Sequence, residues 1–179
     1  MDMKKYLLFL MLCWLVAISA NAQISWRTYV DKNYGYSIPM PASLQLMPWT
    51  GDPASPWQNR SKTFQSADGN VSLSVSTHWT NGRTIQNFFK DAVNQRSDEG
   101  ALINYSILKD NWCVVSGVNS LGFEFYTKYV VFGDRNAGAA RYITFTFAYP
   151  TSQRNIYDPA VTKINREFVP DLPGNYYRE

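Results

Sequence analysis

Outside an N-terminal segment that reads as a removable signal, this chain carries one histidine, His78, and one cysteine, Cys113. An imidazole can draw the proton from a thiol and leave a nucleophilic thiolate, so a catalytic Cys-His pair has to be built from these two. Both fall in strand-like runs, His78 on the polar side of its run and Cys113 between Trp112 and Val114. A reactive thiol needs an electropositive, partly open setting. The apolar flanks of Cys113 favour a buried, inert thiol over an envelope thiol enzyme or a bridge between chains. Structural zinc wants four Cys or His ligands, more than the two available here. Asp68-Gly69-Asn70 reads as a hairpin turn rather than a calcium loop. Val115-Ser116-Gly117 lacks the first glycine of a nucleophile elbow, and no phosphate-cradling glycine loop exists. Asp98 and Glu99 are adjacent and cannot face one substrate as a carboxylate pair. The expectation is therefore no catalytic residue, no metal and no cofactor.

The segment from Pro48 to Asn59, PWTGDPASPWQN, holds the strongest binding candidates. Trp49 and Trp57 follow prolines in a loop long for a compact domain, with Asp52 between them, and long ordered loops often carry function. Indole offers a broad stacking face and an N–H donor, suited to a partner protein or to sugar rings. Tyr126 and Lys128, with Arg141 and Tyr142, form a weaker candidate on strand faces read as exposed.

The chain beyond residue 22 has to position these candidates. Lys4 and Lys5, an apolar run of 12 residues from Leu7 to Ile18, and the Ala20-Asn21-Ala22 ending have the layout of a secretory signal cleaved before Gln23. A membrane span needs about 20 apolar residues, so no stable span is expected after cleavage. Gln23 also stands where a lipid anchor would need cysteine. Cleavage removes Cys13 and with it any intramolecular disulfide. Taking Lys4, Lys5 and Asp2 from 17 basic and 14 acidic residues leaves a net charge of +2. The basic residues are scattered singly, which argues against nucleic acid as a partner. The expected location is periplasmic or extracellular. The remaining chain, about 157 residues long, is large enough to bury about 68–70% of its unfolded surface without a disulfide.

Alternating runs predict strands at Trp26 to Val30 and Tyr34 to Ile38, the second ended by Pro39 and Pro41. Arg60 to Ser66 and Val71 to Trp79 flank the Asp-Gly turn as a hairpin. Thr84 caps a helix with Ile85, Phe88, Phe89, Ala92 and Val93 on one stripe. Four runs joined by short turns, Ala101 to Leu108, Trp112 to Asn119, Phe123 to Phe132 and Arg141 to Tyr149, predict an antiparallel meander. A second helix is expected to start at Asp158 and Pro159 and to stop at Pro170. The sum is an α+β layered sandwich, a mostly antiparallel sheet of six to eight strands covered by two amphipathic helices. The domain plan is signal 1–22, one globular domain 23–169 and a flexible tail 170–179.

Tyr34-Gly35-Tyr36-Ser37-Ile38-Pro39, Trp112-Cys113-Val114-Val115-Ser116-Gly117, Phe125-Tyr126-Thr127-Lys128, and Tyr149-Pro150 ahead of Asp158-Pro159 resemble the PsbP-like superfamily across most of Trp26 to Phe168. That superfamily includes the extrinsic photosystem protein, a nuclear-import factor that binds a small GTPase, and many secreted bacterial proteins of unknown role. The resemblance implies a sheet between helices and a non-enzymatic, protein-interacting role; none of the photosystem protein's metal contacts maps to a position here. The functional expectation is a secreted interaction module for a protein or envelope component, with a carbohydrate or peptidoglycan binder as the alternative.

Overall fold

The computed structural model describes residues 24–51, 60–133 and 140–172. Among the described residues, nine strands and two α-helices are arranged in three layers. The strands are β1 (Trp26–Asp31), β2 (Tyr36–Pro41), β3 (Gln45–Leu46), β4 (Ser61–Gln65), β5 (Ser72–Trp79), β6 (Leu102–Leu108), β7 (Trp112–Val118), β8 (Phe123–Phe132) and β9 (Arg141–Pro150). The helices are α1 (Ile85–Asp98) and α2 (Arg154–Glu167). Strands β3 to β9 form one antiparallel sheet in the order β3-β4-β5-β9-β8-β7-β6, and β1 and β2 form a separate ribbon. The expected meander β6 to β9 is present. Its last strand returns to pair with β5, so α1 carries the chain from the middle of the sheet to its far edge.

Period-two alternation assigns each side chain to a face. On β5, Leu73, Val75 and Thr77 are buried with Phe147, Phe145 and Ile143 of β9 against α2 and the β1–β2 ribbon. The opposite face carries Ser72, Ser74 and Ser76, while at the β6–β8 end it buries Cys113, Val115, Phe125 and Val131 under Ile85, Phe88 and Ala92 of α1. Thr84 caps α1: its hydroxyl accepts from the Asn87 backbone N–H, and the Asn87 side chain accepts from the Thr84 N–H. This reciprocal pair satisfies two of the donors that a helix start leaves open. The β4–β5 turn forms as expected, with Gly69 at φ +75° and the Asp68 carboxylate accepting from the Asn70 backbone and side chain.

Two expectations are corrected. Helix α2 begins at Arg154, leaving Pro159 inside it. Asp158 does not cap because its carboxylate accepts the Tyr149 hydroxyl at 2.6 Å, and Arg154 is tied to Glu124 of β8. The start is thus set by tertiary contacts that outweigh the cost of one missing N–H. Strand β2 does not end at Pro39 but continues to Pro41, paired with β1 throughout. Its other side needs few donors: among the described residues an isolated bridge from Ser37 to Val169 is made there, the kind of edge where proline is tolerated. Beyond α2 the chain stays attached through Val169 and through the Leu172 N–H, which donates to the Gly35 carbonyl.

Candidate functional site

Trp49 lies at the β3–β4 edge of the sheet. Ladder pairing continues one step past Leu46, where the Met47 N–H donates to the Thr63 carbonyl. Beyond this bond the chain leaves the edge at Pro48, and a groove of about 540 Å³ opens between residues 46–50 and β4. Trp49, Met47 and Leu46 line it together with Ser61, Thr63 and Gln65. Leu46, Met47 and Trp49 are 51, 42 and 40% exposed. A side chain at Gly51 would overlap the Trp49 indole, so the ring lies against the Gly51 backbone and its position depends on glycine there. A second, smaller groove of about 330 Å³ lies on the other side of Leu46, lined by Arg27, Tyr29 and Phe64.

The groove borders an unusual strip of sheet. Thr63, Ser74, Thr146 and Thr127 lie side by side across β4, β5, β9 and β8, on one face. Thr63 and Ser74 share a hydrogen bond at 3.2 Å, and Thr127 and Thr146 one at 3.0 Å; Ser61 and Ser76 make a third such pair at 2.9 Å. A hydroxyl in one such bond keeps further donor or acceptor capacity.

Asp52 and Trp57 lie outside the described residues. Tyr126 and Lys128 stand on the α2 face rather than on an open strand surface. The Tyr126 ring stacks on Phe145 at 5.9 Å, and burial pushes its hydroxyl well above the usual tyrosine range. The Lys128 ammonium donates to Asn165 of α2 at 2.7 Å and sits over the Trp112 ring, with burial lowering its pKa. Arg141 lies over Trp79 and Tyr142 packs on Phe88, both half-buried. Leu46 and Met47 were missed because a two-residue strand leaves no periodic signal, and the hydroxyls of β4 because without that strand nothing set them beside Trp49. The cue was local: Gln45-Leu46-Met47 runs directly into Pro48-Trp49.

His78 and Cys113 lie on the same face of the sheet but are not brought together. β9 and β8 stand between their strands, which at about 4.8 Å per strand places them at least about 14 Å apart. Cys113 is fully buried under α1, and burial pushes its thiol up to about 12. His78 packs beside Tyr142 at 5.2 Å, its pKa lowered first by burial and then by Arg60. Iodoacetamide should therefore modify Cys113 in the folded protein about 10³-fold or more slowly than in denaturant, because reaction waits on opening of the core. Rapid native-state labelling, read by mass spectrometry, would contradict this placement. Among the described residues no cluster of three or more His, Cys, Asp or Glu is placed to hold a metal ion, and no helix is long and apolar enough to cross a membrane.

No protein-family model and no curated protein matches the chain. Solved structures do. Cyanobacterial PsbP (CyanoP) from Synechocystis sp. PCC 6803 superposes with a TM-score of 0.56 at 14% identity, covering 84% of this chain and 95% of that one. The Ran-binding protein Mog1p of Saccharomyces cerevisiae gives a TM-score of 0.50 at 7% identity, covering 87% of this chain and all of that one. Similarity at this identity shows the fold: an α+β sandwich of the PsbP-like type.

Proposed function

We propose that this chain is an exported, non-catalytic interaction module that binds a protein or another envelope component through the Trp49 groove. The observation that carries this reading is the grouping of three exposed large apolar side chains, Leu46, Met47 and Trp49, along one groove with a polar β4 wall. Contiguous exposed apolar surface rimmed by polar groups marks binding sites, and tryptophan is enriched where most of the binding energy sits. Asp52 and Trp57 belong to the same proposed site by their place in the loop. Mog1p, described as a Ran-binding protein, supports the reading as one case of this fold in protein recognition. Export rests on the basic, apolar and small-residue zones of residues 1–22.

The test is a paired Trp49→Ala and Trp57→Ala variant. Loss of an anchor residue costs about 2 kcal/mol or more, so capture of the partner by cross-linking in the native envelope should fall by about 30-fold. With both rings serving binding rather than the core, the thermal midpoint should shift by only about 2 °C. A fall of many degrees would assign both rings to the core and remove the proposal.

The row Thr63, Ser74 and Thr146 favours a second reading, a glycan lying on the hydroxyl strip with a sugar face on Trp49. Quenching of tryptophan emission by peptidoglycan fragments, lost in Trp49→Ala, would select it over a protein ligand.

A further inference from the structure

The sulfur atoms of the chain divide by accessibility, and we propose that Met47 is a reversible oxidation site whose sulfoxide closes the Trp49 groove to its partner. The second half of this inference rests on the reading of that groove as the binding site. Beyond residue 22 the chain has three sulfur-bearing side chains, Met40, Met47 and Cys113. Met40 lies in β2 with none of its surface exposed, inside the main core. Cys113 is fully buried beneath Ile85 and Phe88 of α1, and its burial disfavours the thiolate that oxidants attack. Met47 is different. It is 42% exposed and lines the groove together with Leu46 and Trp49. The accessible sulfur therefore sits among the apolar side chains that a partner would bury.

The co-reactant is a hydroperoxide. A lone pair on the Met47 Sδ bonds to its terminal oxygen, the O–O bond breaks, and the proton of that oxygen passes to the other, which leaves as water or an alcohol. Sulfur is oxidised by two electrons and the peroxide is reduced by two. The product replaces a flexible apolar group with a polar, chiral one, and stereospecific sulfoxide reductases reverse the change. Its place in the fold gives this chemistry a consequence. The Met47 backbone N–H donates to the Thr63 carbonyl at 2.8 Å, which holds the residue on the groove rim. A partner that covers Leu46, Met47 and Trp49 in the oxidised protein has to strip water from the sulfoxide oxygen, a strong acceptor. That costs affinity wherever the partner brings an apolar surface rather than a donor. Methionine suits the reduced state for the opposite reason, since its unbranched thioether adapts to the surface laid on it.

The first readout needs no partner. In dilute hydrogen peroxide the folded protein should convert Met47 to sulfoxide at least about 10-fold faster than Met40, measured by peptide mass spectrometry, because Met40 reacts only when the core opens. In denaturant the two rates should converge. The second readout is capture of the partner by cross-linking in the native envelope. Capture should fall by about 10-fold after peroxide, the loss expected for one unpaired polar group in the interface, and sulfoxide reductases of both stereospecificities should restore it. Met47→Leu carries no oxidisable sulfur at this position, so its capture, whatever the starting level, should no longer respond to peroxide. Met40 oxidised as fast as Met47 in the folded protein, or a peroxide response that persists in Met47→Leu, would overturn the proposal. Capture that survives oxidation of Met47 but is lost in Trp49→Ala would overturn it and leave the groove as the binding site. Capture indifferent both to peroxide and to Trp49→Ala would remove the two together.

Discussion

Gly117→Ala should cost about 3 kcal/mol or more of folding stability and detach β6 from the sheet. Gly117 lies on β7 opposite Ile103, where β6 bulges, and a Cβ built there would run into the Leu102 carbonyl oxygen and to within 2.9 Å of the Ile103 Cα. The obstructing atoms are backbone, so no rotamer change relieves the overlap. Either β6 moves outward, breaking ladder bonds to β7, or β7 sinks toward α1. Neither route is cheap: Val115 is fully buried, with Ala92 and Phe125 packed against it, and interiors at this density do not absorb a displaced strand. Costs above about 3 kcal/mol come from a short list of mechanisms, of which a steric clash with main chain inside a packed core is one. Urea unfolding would measure the loss. Amide exchange should show Ile103 to Leu108 losing protection while β5 and β9 keep theirs. A loss below about 1 kcal/mol would mean that the β6 bulge adjusts freely.

How much of this architecture was legible in the sequence depends on the range of the interactions that set each part. The β4–β5 hairpin and the start of α1 were legible because Asp68-Gly69-Asn70 and Thr84 with Asn87 act over three or four residues. The meander β6 to β9 was legible because its turns are short. The start of α2 was not, since Asp158 has the chemistry of a cap and is claimed instead by Tyr149. Tyr126 and Lys128 show a different limit. Alternation correctly put them on one face of β8 but cannot say whether a helix covers that face, and α2 does, through Phe145 and Asn165. The candidate site was half legible. Trp49 declares itself beside Pro48, whereas Leu46 and Met47 matter because β3 ends there and exposes them.

Alkaline pH should unfold the protein more steeply than ordinary tyrosine and cysteine titration would suggest. Burial, as the largest cause, pushes Cys113 and Tyr29 up to about 12, and raises Tyr36, Tyr126 and Tyr149 further still. Nearby carboxylates add to it for three of them: Asp31, itself only 5% exposed, for Tyr29 and Tyr36, and Asp158 for Tyr149. In the unfolded chain a thiol titrates near about 8.5 and a phenol near about 10. Between those values and the folded ones the native state holds more protons than the unfolded state, so stability falls as pH rises. The contribution is complete below about pH 8.5 for Cys113 and about pH 10 for the tyrosines, and is lost as pH climbs through the folded values. Thermal midpoints should therefore stay level from about pH 6 to 8, decline from about pH 9, and give way to cooperative unfolding near about pH 12, with tyrosinate absorbance rising in the same step rather than before it. Tyr149→Phe separates this from a general effect of net charge. It removes the hydrogen bond to Asp158 and should cost about 1 kcal/mol at pH 7, yet it deletes one raised phenol, so its deficit relative to the parent should shrink as pH rises above about 10. A deficit that stays constant through that range would show that Tyr149 ionises without penalty in the folded state, and that the face joining β9 to α2 is open to water.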